Sequence, residues 1–422
     1  MESRSTAQQE EEGSGDAGSA GIRPFAGRRV LLGITGGIAS YKIGWLARQL
    51  MLAGAEVDVV MTRAATEFVG PMTFEALTGR PVFTELLGQG RALDHIRLAR
   101  SAHAIVVAPA TADFLARAAH GHADDLLTAC LLAADAPVLL VPAMNDRMWA
   151  HRQTQRNVEQ LGSLGYRILE PASGRLAAGE GSGPGRMPEP DEIMAHVGRL
   201  LDGDGLLCGL KVIVTAGPTR EAVDPVRFIS NRSSGKMGAA LAAAAWRRGA
   251  EVTLIAGPLA IAPPTGIAHV AVETAQDMAD AVGSALPAAD VLIMAAAPAD
   301  FRPAVTPERK IPKGGAPHSI ALAPAQDTLL STREARRPGA IMVGFALETH
   351  DALAHGRKKL RAKDLDLIVV NDSTEPGAGF SVDTNRVTIL GRDGSEDALP
   401  LLPKMDVADA ILDRIEVLLR GR

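Results

Sequence analysis

The run RVLLGITGGIASYK, from Arg29 to Lys42, decides the fold class. Residues 29–33 form an apolar stretch with no alternation, as in a strand buried on both faces. Glycines follow at Gly33, Gly36 and Gly37, and a helical pattern then covers 38–52. A strand, a small-residue turn and a helix make the opening of a βαβ unit. The same rhythm continues outward. Further buried strands are expected at 57–61, 104–108 and 138–141, and helices at 111–119, 126–133 and 152–164. The segment GEGSGPGRMPEP (179–190) reads as a long Gly/Pro-rich loop, and 191–201 as a closing helix. After DGDGLLCG (202–209) the pattern restarts. It predicts strands at 211–215, 251–256, 291–295, 341–345, 367–370 and 387–390, with helices at 236–248, 275–286 and 406–419. The chain is therefore read as a tail (1–27), an α/β domain (28–201), a linker (202–209) and a second α/β domain (210–422).

Composition narrows the function classes. The 422 residues carry 44 Lys and Arg against 49 Asp and Glu, a net charge of -5. That balance gives no electrostatic case for nucleic acid or a membrane surface as the main partner. Two cysteines, Cys130 and Cys208, exclude a disulfide scaffold and a Cys-rich zinc site, and fit a reducing compartment. With 9 Phe, 3 Trp and 2 Tyr, the cores must be built from Ala, Val, Leu and Ile. The most apolar stretch, 126–144, is broken by Asp135, Pro137 and Pro142, so it reads as a buried helix and strand rather than a membrane span. The polar, acidic, Gly/Ser-rich start lacks the basic and apolar regions of a signal peptide, and a cytoplasmic location is expected.

Candidate ligand contacts gather at strand ends. In the first half these are the 33–40 turn, with Gly36, Gly37 and Ser40, then Thr62, Thr111 in PATAD and Asn145 in PAMN. Small residues let backbone N–H groups approach a phosphate at a helix start. The same turn could need small residues for packing alone. It is not GxGxxG, which disfavours NAD. In the second half, TAGPTRE (215–221) leads into DPVRFISNRSSGKMG (224–238). Gly235-Lys236 fails as a P-loop, because the upstream Gly is misplaced and Met237 replaces Ser/Thr. The loop suits phosphate at a helix N-terminus, or N-capping by Ser233 or Ser234. Lys359 and Lys363 are four residues apart on one helix face, which by itself reads as a solvated basic face.

Beyond these patterns, GITGGIASYK, Asp94-His95-Ile96, APATAD, PAMN and GPGRM closely resemble the bifunctional phosphopantothenoylcysteine decarboxylase/phosphopantothenate–cysteine ligase family of coenzyme A biosynthesis, the Dfp/CoaBC family. In the second half AGPTRE, DPVRFISNRSSGKMG, AAAPADFRP, RKIPK, VGFALET and LDLIVVND extend the resemblance in order, over about residues 28–420. It implies a flavodoxin-like, doubly wound domain holding FMN, trimeric in its arrangement, followed by a Rossmann-like, dimeric ligase domain. No nucleic-acid or membrane partner is implied. The ligase would activate 4'-phosphopantothenate with CTP to an acyl-cytidylate, releasing pyrophosphate, and L-cysteine would then displace CMP. The flavin half would oxidise the new cysteinyl thiol, lose carbon dioxide, and reduce and protonate the enethiolate to give 4'-phosphopantetheine.

Residue by residue, the resemblance gives His95 an acid/base or carboxylate-orienting role, where spacing alone reads a packing or capping histidine. Asn145 would hold the substrate carboxylate, and it also suits a helix N-cap. Arg186, in GPGRM, is a candidate substrate contact. Asn231 is matched to acyl-cytidylate formation and Lys310 to catalysis. Asp300, Lys310, Gln326, Asp327, Thr328, Leu329, Phe345, Lys359 and Lys363 are matched to the nucleotide. Arg227 would support the Asn231 loop or a substrate phosphate. Mg2+ is expected with the triphosphate, its ligands unassigned. One departure stands out. The family's proton-donating cysteine ahead of GPGRM is replaced by Ala178, and the loop is one residue longer. Glu180 and Ser182 are the nearest substitute donors. A chain active only as a ligase, its flavodoxin-like half impaired in protonation or serving as a flavin-binding scaffold, is the alternative.

Overall fold

The computed structural model describes residues 23–176, 179, 181–313, 319–348, 350–372, 379 and 382–421. Its N-terminal half is built on six parallel strands: β1 (Arg29–Ile34), β2 (Glu56–Met61), β3 (Val82–Phe83), β4 (Ala104–Ala110), β5 (Val138–Pro142) and β6 (Arg167–Ile168). They lie in the order β3-β2-β1-β4-β5-β6, and winding reverses between β1 and β4. Without the two-residue edge strand β3, this is the flavodoxin-like 2-1-3-4-5 order. The strands read as unbroken apolar runs because helices cover both faces. Asp58, buried within β2, is satisfied by Arg80 Nε at 2.9 Å.

The segment read as a loop over 179–190 is different. β7 (Ala172–Arg175) pairs antiparallel with β8 (Ser182–Arg186), and the closing helix begins at Pro190. Low strand propensity hides β8 in the sequence. Its glycine content has a tertiary reason: Gly185 has φ +150°, and a Cβ there would overlap the Met144 carbonyl oxygen. The hairpin thus lies directly on the PAMN turn. Ala178 and Glu180 fall outside the described residues.

The C-terminal half contains β9 (Lys211–Ala216), β10 (Arg220–Ala222), β11 (Phe228–Ser230), β12 (Glu251–Ala256), β13 (Ala268–Ala271), β14 (Val291–Met294), β15 (Phe301–Pro303), β16 (Leu322–Pro324), β17 (Ile341–Glu348), β18 (Leu367–Asp372), β19 (Thr384–Asn385), β20 (Thr388–Gly391), β21 (Glu396–Ala398) and β22 (Leu402–Pro403). Eight form one sheet, β13-β12-β9-β14-β17-β18-β20-β21. It is parallel through β18 and antiparallel for the last two strands. Helices Lys236–Arg247 and Lys404–Arg420 cover one face, Ala275–Ala285 and Ala352–Ala362 the other. β10–β11, β15–β16 and β19–β22 are separate two-stranded sheets.

The halves meet through helix Pro190–Asp202 and the C-terminal end of helix Lys236–Arg247. Arg199 donates to the carbonyls of Trp246, Gly249 (3.1 Å) and Ala250 (3.1 Å). Its guanidinium lies 4.8 Å from the Trp246 ring centroid, and His196 meets that ring edge-on at 5.0 Å. Arg247 bridges Asp202 and Asp409 across the same seam. No helix among the described residues is long and apolar enough to cross a membrane.

Candidate functional site

Two clefts open beyond the carboxyl ends of the parallel strands, where the winding reverses. The first has a volume of about 860 Å³ and is lined by Gly36, Gly37, Thr62, Thr111, Asn145 and Arg186, six of the residues singled out above. Thr35, absent from that set, ties the strand ends together: its Oγ1 donates to the Pro109 carbonyl at 2.7 Å and accepts from the Thr111 N–H at 3.1 Å. Thr62 and Thr111 cap the helices Arg63–Thr66 and Ala112–Ala119 through their hydroxyls. The two glycines divide the alternatives left open by the sequence. A Cβ on Gly36 would overlap Ala64, so packing requires that glycine. On Gly37 it would meet nothing nearer than Thr111 Cγ2 at 3.7 Å. Protein packing therefore leaves the absence of a side chain at Gly37 unexplained. Ser40 is fully buried beneath the turn and donates to the carbonyls of Thr35 and Gly37, away from the cleft lining.

Charge on the rim is organised by Glu189. It accepts from Lys42 Nζ at 2.8 Å and pairs with Arg186, and Lys42 in particular holds its carboxyl below the usual range. Asn145 caps helix Asp146–Trp149, its Oδ1 accepting from Arg147 N–H at 2.9 Å, while Nδ2 has no hydrogen-bond partner among the described residues. His95 sits in the first turn of helix Asp94–Ser101, outside this cleft lining, and its buried Nδ1 lacks a partner among the described residues. Cys130 is buried in helix Leu126–Leu132, outside this cleft lining, and burial pushes its thiol up to about 12.

The second cleft, about 360 Å³, brings Asn231, Asp300, Phe345, Lys359 and Lys363 together from separate segments. Asn231 Nδ2 donates to the carbonyls of Ala297 (3.1 Å) and Pro298 (3.0 Å), which orients its side chain on the turn before Asp300. That turn rests on buried Thr219, whose Oγ1 accepts from Ala299 N–H at 2.9 Å and donates to Glu221 at 3.1 Å. Helix Lys236–Arg247 is not capped by a serine. Gly235 is its N-cap at φ +77°, with no side-chain cap bond, and Ser233 and Ser234 line the cleft. Lys359 pairs with Glu348 at 2.7 Å and Lys363 with Asp327 at 2.8 Å, so this face is not simply solvated. Burial raises the Glu348 carboxyl, but Lys359 and His355 bring it below its ordinary value.

Four expected nucleotide contacts lie outside that lining: Gln326, Asp327, Thr328 and Leu329. Asp327 caps helix Thr328–Ser331 and reaches the cleft through Lys363, while Thr328 and Leu329 are buried. Lys310 is exposed and also outside the lining, but the irregular segment that carries it is clamped at the next residue. Asp224 accepts from Ile311 N–H at 3.1 Å, and Arg227, bonded to Asp224, donates to the Ile311 carbonyl at 2.9 Å. The Arg227 guanidinium holds the Asp224 carboxyl well below the usual carboxylate range. Arg227 thus steadies the Lys310 segment. Among the described residues no group of three His, Cys, Asp or Glu is placed to hold a metal ion. Lys236, Asn371, Asn385 and Lys404 also line the cleft; no short motif marks them as a set.

Comparison with known proteins adds the chemistry. Residues 23–202 match the Flavoprotein family, and residues 207–418 match the family described as the DNA/pantothenate metabolism flavoprotein C-terminal domain. The chain is 49% identical over 409 residues to the coenzyme A biosynthesis bifunctional protein CoaBC of Mycobacterium bovis, covering 93% of this chain and 97% of that one. It is 45% identical over 396 residues to the protein of the same name from Bacillus subtilis, covering 93% and 97%. A crystal structure of a CoaBC C-terminal domain aligns at 41% identity and TM-score 0.44, covering 51% of this chain and 98% of that one.

Proposed function

The chain belongs to the CoaBC family of bifunctional coenzyme A biosynthesis proteins, and on that premise we infer how its two clefts divide the work. The C-terminal cleft carries the ligase activity and the N-terminal cleft the decarboxylase activity. CTP and 4'-phosphopantothenate are the ligase substrates in this reading, with Mg2+ entering as the counter-ion of the nucleotide. The pantothenate carboxylate attacks the α-phosphorus and pyrophosphate leaves. The amine of L-cysteine then attacks the acyl carbon and CMP leaves. Lys310 offsets charge developing at the reacting carboxylate and phosphate, while Asn231 orients the acyl group. Phe345, Lys359, Lys363 and Asp300 hold the nucleotide. The observation that carries this half is the convergence of Asn231, Asp300, Phe345, Lys359 and Lys363 on one cleft from four segments of chain.

FMN is the cofactor proposed for the N-terminal cleft, its phosphate at the Gly36–Gly37 turn. When bound it supplies the two-electron redox chemistry that makes the cysteinyl carboxylate labile. The chain's part is positional: Asn145 offers its free amide nitrogen to the substrate carboxylate, and Arg186 offers a cation at the rim. His95 acts as the acid/base or carboxylate-orienting group from outside this lining, which suits an oligomer in which another copy completes the site. Exposed Ile38, Tyr41 and Trp45 beside the first cleft, and exposed Phe228, Phe301 and Val305 on the second half's hairpins, support trimeric flavin units and dimeric ligase units. The location is cytoplasmic and the working division falls at 202–209. The test is to assay the half-reactions separately. Pyrophosphate release should require both CTP and 4'-phosphopantothenate, and carbon dioxide release should require FMN. Colourless protein after FMN soaking would sink the flavin assignment.

A further inference from the structure

Four lysines line the C-terminal cleft: Lys236, Lys359, Lys363 and Lys404. Three are matched by carboxylates, Lys236 with Asp383 at 2.6 Å, Lys359 with Glu348 and Lys363 with Asp327. Lys404 forms no ion pair among the described residues. Its Nζ donates to the Gly379 carbonyl at 3.0 Å and to the Val382 carbonyl. An ammonium has three N–H donors, so among the described residues one is left without an acceptor.

Three features oppose a cation at this position. Lys404 is only 6% exposed. It is the first residue of the 17-residue helix Lys404–Arg420, whose N-terminal end carries partial positive charge. Lys236 is close enough that burial and its charge together push the Lys404 pKa down, with Asp383 opposing. Asp383 is itself bonded to Lys236 and its side chain is 87% exposed. Among the described residues this buried ammonium has two carbonyl acceptors and no paired carboxylate, and it lies at the positive end of a helix beside a second lysine, so an arriving anion would compensate its charge.

We propose that Lys404 binds a phosphoryl oxyanion of the substrates in this cleft, facing Lys236 and the uncapped N-terminus of helix Lys236–Arg247. The proposal rests on the ligase reading, which puts two sources of that chemistry in the cleft: the triphosphate of CTP and the phosphate ester of 4'-phosphopantothenate. Lys404→Gln keeps an N–H donor for the Gly379 and Val382 carbonyls while removing the charge. In the full chain, pyrophosphate release should show the KM of one phosphorylated substrate rising about 10-fold or more, the cost of one charge-assisted hydrogen bond, with the KM of cysteine unchanged. A rise for CTP assigns the triphosphate, and a rise for 4'-phosphopantothenate the ester. Calorimetry with inorganic pyrophosphate as probe should show the same weakening, with Lys404→Arg between Gln and wild type. Unchanged KM values, or a parallel rise in all three with a lowered Tm, would overturn the proposal. Should the Gln variant not fold, a Kd for pyrophosphate unchanged between wild type and Lys404→Arg would overturn it, and a shift of threefold or more would support it. A wild-type chain that releases no pyrophosphate from its substrates would defeat the ligase reading, while the calorimetric arm would still decide Lys404.

Discussion

Gly36 and Gly37 are adjacent, and their substitution by alanine should fail in opposite ways. At Gly36 the new Cβ would overlap Ala64 Cβ and stand 2.9 Å and 3.0 Å from the Ala64 carbonyl carbon and oxygen. Backbone cannot move aside as a side chain can. Overpacking of this kind costs about 1–3 kcal/mol, or a Tm drop of about 2–12 °C for a domain of this size. At Gly37 the new Cβ meets only ordinary contacts at 3.7 Å and 3.8 Å, so apo stability should stay within about 0.5 kcal/mol. If the flavin phosphate sits against this turn, the methyl group displaces it from one backbone N–H. Loss of one charge-assisted hydrogen bond, about 1.5–3 kcal/mol, is about a 10- to 150-fold rise in Kd. Thermal melts of the apo chains and FMN titrations followed by quenching of flavin fluorescence separate the two effects. Gly37→Ala with wild-type FMN affinity, or the same stability loss in both variants, would refute the division between packing and ligand.

Asp224→Asn should release the Lys310 segment and lower the ligase kcat with the fold intact. Because the folded pKa of Asp224 is depressed, its stabilisation is present above the unfolded value and is lost as pH falls through the folded one. Acid melts of wild type should therefore steepen below about pH 4, and those of the Asn variant less so. Ala178→Cys should increase 4'-phosphopantetheine formation while carbon dioxide release stays unchanged; equal product yields from both chains would show that the native loop already supplies a donor. Arg199→Met leaves the Trp246, Gly249 and Ala250 carbonyls without their shared donor, so calorimetry should split one melt into two, whereas a single unshifted transition would mean that the seam is held elsewhere.

The parallel strands were legible because burial on both faces forces continuous apolar runs, as in 104–108 and 138–141. The strand-end turns followed from them. Features that depend on distant chain were not legible. β8 is written in Ser, Gly, Pro and Arg, and its glycines answer to distant chain, Gly185 to the Met144 carbonyl and Gly183 to Asp146. Arg227 is expected to support the Asn231 loop or a substrate phosphate, yet its guanidinium reaches the Ile311 carbonyl, 84 positions along the chain. Ser233 and Ser234 have the composition of a helix cap, but Gly235 takes the cap in a left-handed conformation. Lys404 begins a helix as an exposed lysine would, and nothing in its neighbours announces burial.

The electrostatics of three helices connect these observations. Helix Pro190–Asp202 starts beside Glu189, Arg186 and the first cleft, and ends at the seam. Helix Lys236–Arg247 starts at Gly235 in the second cleft and ends at the same seam, where Arg199 caps its carbonyl end. Helix Lys404–Arg420 also starts in the second cleft, and its Asp409 pairs with Arg247 and Arg248. Two positive helix ends therefore face the second cleft and one adjoins the first, while two carbonyl ends meet among arginines. That arrangement concentrates anion affinity at the clefts and places compensating cations at the junction. Asp406 in the first turn of the last helix follows the rule. Lys404, two residues earlier, breaks it, and an anion bound in the cleft is what would turn that violation into complementarity.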